Sequence, residues 1–146
     1  MLEVFQFVAV LCSALFAGAA IYINLVEHPA RMGCGTALAV TEWAPSYRRA
    51  VAMQVPLAVV STLAGLVSWL MTGKILWLIG TLLIFAVIPF TLVVIMPTKK
   101  LLLDPVRDRA SAQTRTLLEK WGRLHSVRSL LSLFASSIFL ILVLRP

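Results

Sequence analysis

Only two histidines occur in this chain, and each lies in a polar cluster beside a long apolar run. His28 follows Asn24 and Glu27 and precedes Arg31, while His125 lies between Trp121 and Arg128, with Ser132 one turn further on. Spacings of three, four and seven put Asn24, Arg31 and at least one of Glu27 and His28 on a common helical face. Trp121, His125, Arg128 and Ser132 repeat the pattern. Three uses of the histidines fit. A neutral imidazole takes a proton near physiological pH, so His125, or His28 in its place, could act as a general base with Glu27 fixing its tautomer. Two histidines with Glu27 have the composition of a 2-His-1-carboxylate iron site, and the two alone could hold a haem iron from both sides. Each could also simply hydrogen-bond within a bundle. The metal reading has a geometric weakness, because adjacent residues such as Glu27 and His28 point about 100° apart on an ideal helix. Pro29 could reshape the helix end enough to relieve it.

Further polar residues accompany these clusters: Trp43, Tyr47, Arg48, Arg49 and Gln54 in one stretch, and Thr91, Pro97 and Thr98 in another. Ionisable groups near an apolar boundary cost about 2.5–3.5 kcal/mol each at a bilayer centre and less near its interface, so they face a bundle interior and pair. Glu27 with Arg128 is the obvious pair. The structural alternative is that Arg31, Arg48, Arg49 and Arg128 snorkel to headgroups and that Trp43 and Trp121 belong to an aromatic belt.

The elements that must carry these residues are membrane helices. Of 146 residues, 60% are hydrophobic and 13% charged, against roughly 45–50% and 25% in soluble domains, and the mean hydropathy is +0.95. Apolar runs at about 4–26, 51–71, 75–96 and 126–144 each reach the roughly 20 residues that cross a bilayer core. The expected fold is all-α, an integral membrane four-helix bundle in a single domain over 1–146. Its connections are a polar stretch over His28–Ala50, a tight Thr72–Lys74 turn and a long Pro97–His125 stretch. From about Asp108 onward helical periodicity returns and runs into the fourth span, which makes the fourth helix longer than the membrane is thick. That basic half could also rest on anionic headgroups.

Four spans put both termini and the Thr72–Lys74 turn on one side, with two of the thirteen Lys and Arg, and the two long connections on the other, with eleven. The positive-inside rule then places the termini outside and the long connections in the cytoplasm, as expected for an integral protein of a bacterial inner membrane. The net charge of +7 is thereby a topology signal, and nucleic acid is not expected as a partner. Cys12 and Cys34 form no CxxC pair and read as packing residues. The N-terminal run carries Glu3, has no Lys or Arg and outlasts a signal peptide's apolar region, so it reads as the first span.

Taken together, Asn24-Leu25-Val26-Glu27-His28-Pro29-Ala30-Arg31, Trp43-Ala44-Pro45-Ser46-Tyr47-Arg48-Arg49-Ala50 with Gln54, Ile95-Met96-Pro97-Thr98 and Trp121-Gly122-Arg123-Leu124-His125-Ser126-Val127-Arg128 resemble the anthrone oxygenase family, small four-span membrane proteins. One departure stands out: Lys99 follows the Pro-Thr pair where similar proteins often carry Asn. The resemblance implies oxidation of an anthrone to an anthraquinone by O₂ with no known organic cofactor. Such a reaction needs a base, stabilisation of an oxyanion and a flat apolar cavity. His125, His28 and Glu27 supply the base and its partner, and Arg31, Arg48 and Arg128 the oxyanion contacts. Trp43, Tyr47 and Trp121 would wall a small apolar aromatic substrate, with Asn24, Gln54 and Thr98 as polar contacts. A competing reading is a non-enzymatic module that binds lipid or a quinone. A transporter is disfavoured because no charge lies between Glu3 and Glu27, Arg49 and Lys74, Lys74 and Lys99, or Arg128 and Arg145. Small-xxx-small pairs such as Ala14/Gly18 and Ser61/Gly65 are compatible with a homo-oligomer.

Overall fold

The computed structural model describes residues 1–145. Four helices carry the chain: α1 (Leu2–Gly33), α2 (Thr36–Thr72), α3 (Ile75–Leu102) and α4 (Ala112–Leu144), each long and apolar enough to cross a membrane. In lipid every backbone N–H and C=O needs an internal partner, and a helix satisfies them within one segment. The four form an up-down-up-down bundle in which α1 and α3 each pack between α2 and α4. The expected all-α integral membrane bundle is what the chain forms.

The helices outrun the apolar runs. The polar stretch expected over His28–Ala50 is almost entirely helical, and only Cys34 and Gly35 separate α1 from α2. Pro45, Gly33, Gly35 and a dense set of charges hide the helical periodicity there; in the bundle Pro45 lies inside α2 and the Gly35 backbone, at φ +89°, makes the reversal. The third connection is likewise shorter than Pro97–His125, because α3 continues to Leu102 and α4 starts after the Ser111 N-cap, whose side chain accepts from the Thr114 N–H. At about 1.5 Å per residue, α2 is about 55 Å long and α4 about 50 Å, well beyond a hydrocarbon core of about 30 Å.

Two packed regions divide the bundle along its length. Nearer the termini, Phe16, Trp77, Ile84 and Phe139 pack among alanines. Trp77 and Phe139 stack with centroids 5.0 Å apart, and Ser61 donates to the Ala9 carbonyl at 2.9 Å. Gly65 and Gly80 let α2 and α3 close on Phe139, since a Cβ at Gly80 would sit 2.5 Å from its ring. The other region holds Ile23, Trp43, Tyr47, Ile95, Leu118 and Trp121, and it surrounds the polar residues. Two wide π turns, Ile23–Glu27 in α1 and Thr91–Ile95 in α3, flank it, each followed after one residue by Pro29 or Pro97. Proline lacks an N–H and crowds the carbonyl four residues before it, which here belongs to Leu25 or Val93 inside the widened turn.

Gly80→Ala is expected to destabilise the bundle by about 1–3 kcal/mol through overpacking. Thermal unfolding in detergent should show a lower Tm for this variant and partial recovery when Phe139→Leu is added.

Candidate functional site

Asn24, on the π turn of α1, reaches across to α4 with both ends of its amide. Its Nδ2 donates to the Gly122 carbonyl and to Ser126 Oγ, each at 3.0 Å. Its Oδ1 lies 2.8 Å from His125 Nδ1 and accepts from Ser129 Oγ at 2.6 Å. A carbonyl only accepts, so the amide orientation is determined, and the group facing Oδ1 must be a donor. His125 Nδ1 therefore carries the proton, which leaves Nε2 of the neutral ring with its lone pair free. His125 is 1% exposed.

The orienting partner of His125 is thus Asn24, not Glu27. Glu27 accepts from Arg31 and Ser46, and the expected Glu27–Arg128 pair does not form. The cause is the angular one visible in the sequence: Glu27 turns toward α2, while the adjacent His28 turns toward α4. There His28 meets Trp121 at a 5.2 Å centroid distance. Gly122 makes room for it, since a Cβ at that position would come 2.7 Å from the imidazole. Pro29 does not bring the pair onto one face. With Glu27 held by Arg31 and Ser46 and His125 Nδ1 held by Asn24, the 2-His-1-carboxylate set does not assemble, and no group of three or more His, Cys, Asp or Glu converges among the described residues.

The two buried arginines are treated differently. Arg31 has counter-charges, the Glu27 carboxylate and Glu42 Oε2 at 2.6 Å from its Nε, and it also donates to Ser46 Oγ at 3.1 Å. Arg128, 3% exposed, has no carboxylate within ion-pair distance among the described residues. It donates to Gln54 Oε1 at 2.9 Å and lies 5.4 Å from the centre of the Phe16 ring. Its Nε, Gln54 Nε2 and Trp121 Nε1 are buried without hydrogen-bond partners. These residues surround one enclosed cavity of about 10 Å³, lined by Arg31, Tyr47, Gln54, Trp121, His125 and Arg128 together with Ile23, Ser46, Ala50 and Val51. Neither arginine snorkels. The cavity presents one cation without a counter-charge, Arg128, beside the ion-paired Arg31, two unpartnered N–H donors and one imidazole, and it has room for about one oxygen atom.

Six of the twelve residues singled out in the sequence share this cavity. Asn24 and Glu27 stand behind it, and Asn24 commits both polar atoms to α4. Trp43 and Tyr47 stack at 5.1 Å, and Trp43 meets Trp121 edge-on at 5.5 Å. The aromatic rings therefore pack on one another instead of facing a slot. Thr98 is buried in α3 outside the cavity lining, and Lys99 places its Nζ 5.1 Å from the Tyr47 ring centre. Arg48 is exposed, faces a different cavity and does not join the cluster. Sequence reasoning missed Ser46, Ser126, Ser129 and Gly122. Gly122, Ser126 and Ser129, at spacings of four and three on the face of α4 that carries His125, are the signal that another polar element docks there.

Outside the enclosed cavity, an open groove of about 540 Å³ runs between α1 and α2. Ile23, Ser46 and Ala50 line both spaces, so these three side chains form the wall between them.

Asn24→Leu removes four hydrogen bonds and leaves His125 Nδ1 unpaired and Ser129 Oγ with only its long bond to the His125 carbonyl, at an expected loss of about 1–3 kcal/mol. The ¹⁵N resonances of His125 should report a protonated Nδ1 in the wild type and a tautomer mixture in the variant. An Nε2-protonated wild type would contradict the orientation.

A protein-family model described as anthrone oxygenase matches residues 43–138, from Trp43 through α4 to Ile138. No curated protein and no solved structure matches the chain. The match takes in Tyr47, Gln54, Trp121, His125 and Arg128, while Asn24 and Arg31 lie before it. It covers more than half of the sequence, and the chain belongs to the anthrone oxygenase family.

Proposed function

We propose that the chain is a membrane oxidoreductase that uses O₂ to oxidise a planar aromatic substrate of the anthrone type, with His125 as the base and Arg128 as the principal oxyanion contact. The observation that carries this reading is the lone guanidinium of Arg128. An uncompensated cation buried in an apolar bundle is costly, and it persists where a transient anion will occupy the space beside it. The adjacent unpartnered donors of Gln54 and Trp121 suit a single oxygen that gains negative charge during reaction.

The chemistry follows from acidity. The methylene of an anthrone is flanked by two rings and lies across from a carbonyl, so its deprotonation gives a delocalised anion with most charge on oxygen. In the proposed sequence His125 Nε2 takes the methylene proton, and the oxyanion is held by Arg128 with the N–H groups of Gln54 and Trp121. The anion passes one electron to O₂, and the radical and superoxide combine at the former methylene carbon. The resulting peroxide is protonated by the imidazolium and loses water to leave the second carbonyl. One O₂ is consumed and one water released per CH₂ converted to C=O, with no other oxidant required. Cofactors remain unassigned, and no step here uses a metal or haem.

At rest the cavity holds only one oxygen, so the outer rings belong in the α1–α2 groove, and Ile23, Ser46 and Ala50 move aside far enough to bring the central ring between Arg128 at its carbonyl and His125 at its methylene. Measured along α2 from Thr72, Gln54 lies at about 27 Å, close to the limit of a 30 Å hydrocarbon core. An apolar aromatic with a polar edge concentrates at that depth. The charge asymmetry of the two ends supports placing this site at the cytoplasmic side.

Reconstituted protein should accelerate O₂ uptake by an anthrone above the uncatalysed background and yield the anthraquinone in equal amount. His125→Asn is expected to lower kcat by about 10²–10⁴-fold, and equal rates in folded wild type and variant would refute the base assignment. Arg128→Met should lower kcat by about 10²–10³-fold while changing the stability of the ligand-free protein little, because relief of the buried unpaired charge is offset by the hydrogen bond that Gln54 Oε1 loses. Ala50→Phe, which fills the dividing wall, is expected to raise KM more than it lowers kcat.

A further inference from the structure

A second cavity, of about 290 Å³, lies at the same end of the bundle, bounded by α2 and the connection between α3 and α4, and shares no lining residue with the His125 cavity. Arg48 on α2 and Arg107 and Arg109 in the Leu103–Ser111 connection line it, above an apolar floor that includes Val40, Ala44 and Leu102. None of the three arginines forms an ion pair among the described residues. The Arg107 Nε donates to the Leu101 carbonyl at 2.7 Å and the Arg48 Nε to the Ala44 carbonyl at 3.4 Å, which anchors the inner edge of each guanidinium to the backbone. Asp104 is the one carboxylate in the lining, and its Oδ1 is engaged by the Val106 N–H at 3.0 Å within its own turn. Three cations against one carboxylate, on an apolar floor, make a site for an anion attached to an apolar body.

Depth narrows the ligand further. Arg48 lies about 36 Å along α2 from Thr72 at 1.5 Å per residue, beyond a hydrocarbon core of about 30 Å and at the level of the adjoining headgroup layer, which adds about 5–7 Å on that side. We infer that this cavity binds the phosphate of an anionic phospholipid headgroup, with Arg48, Arg107 and Arg109 as its ligands and the apolar floor under the start of the acyl chains. Bound there, the lipid would tie the connection between α3 and α4 to α2. The site is separate from the His125 cavity and does not depend on the oxidation chemistry.

The chemistry of recognition is that of a phosphate group, which a lipid or free phosphate could supply, and the test separates them. Wild-type protein in a non-ionic detergent is mixed with phosphatidylglycerol or phosphatidylcholine, and retained lipid is read by native mass spectrometry. Phosphatidylglycerol should be retained about tenfold more than phosphatidylcholine, and excess inorganic phosphate should not displace it. The triple variant Arg48→Gln, Arg107→Gln, Arg109→Gln should fall to the phosphatidylcholine level with its far-ultraviolet dichroism unchanged. A control that removes the same charge from exposed positions outside the cavity, Lys100→Gln, Lys120→Gln, Arg123→Gln, should keep the preference. If the triple variant loses helix, Arg48→Gln and Arg109→Gln singly carry the test, each expected to weaken retention. Equal retention by wild type and cavity variants, or equal loss in the control, would overturn the site. Full displacement by inorganic phosphate would overturn its assignment to a lipid.

Discussion

The polar end of this bundle depends on the clasp that Asn24 makes between α1 and α4. One amide meets a backbone carbonyl, two serine hydroxyls and an imidazole, all on one face of α4. That requires the helices to approach closely, which Gly122 permits by leaving the space that the His28 ring fills. Near the edge of the hydrocarbon no water is at hand to replace a missing partner, so each bond in the set constrains the others. The consequence for chemistry is a single imidazole with a defined tautomer and its free nitrogen beside the cavity.

Charge is distributed around that cavity with similar economy. Arg31 is neutralised by two acidic residues from different helices and so fastens α1 to α2 at Glu42 and Ser46. Arg128, on α4, is left with an amide oxygen and the face of Phe16. The first arrangement is a structural tie. The second holds a positive potential in a low-dielectric space, where it acts on whatever oxygen enters. The tightly packed region around Trp77 and Phe139 holds the helices in register, so the polar end need not provide its own rigidity.

In the proposed reaction the two spaces beside the site divide the work of binding. An enclosed cavity of about 10 Å³ cannot hold a ring, whereas the 540 Å³ groove can, and the two share a wall of three side chains. Binding of rings in the groove and recognition of one oxygen in the cavity suit a substrate that is mostly apolar, planar and acidic at one edge. The widened π turn of α1 begins at Ile23, one of the three wall residues.

Composition and apolar runs were sufficient for the all-α bundle, because lipid permits few other ways to satisfy a backbone. They also located the site at one end, since charges are excluded from mid-span and were visible in the sequence as clusters around His28, Tyr47 and His125. The helical continuation through Thr36–Ala50 was not legible, because Pro45 and a run of charges interrupt the pattern that α2 nevertheless follows. Nor were the pairings. Whether Glu27 meets Arg128 or Arg31, and whether His125 is oriented by a carboxylate or an amide, turns on the rotation of each helix about its axis. That rotation is set by where small residues such as Gly122 allow close approach. Residue type and depth are properties of one chain segment; partner choice belongs to two segments at once, and only their packing decides it.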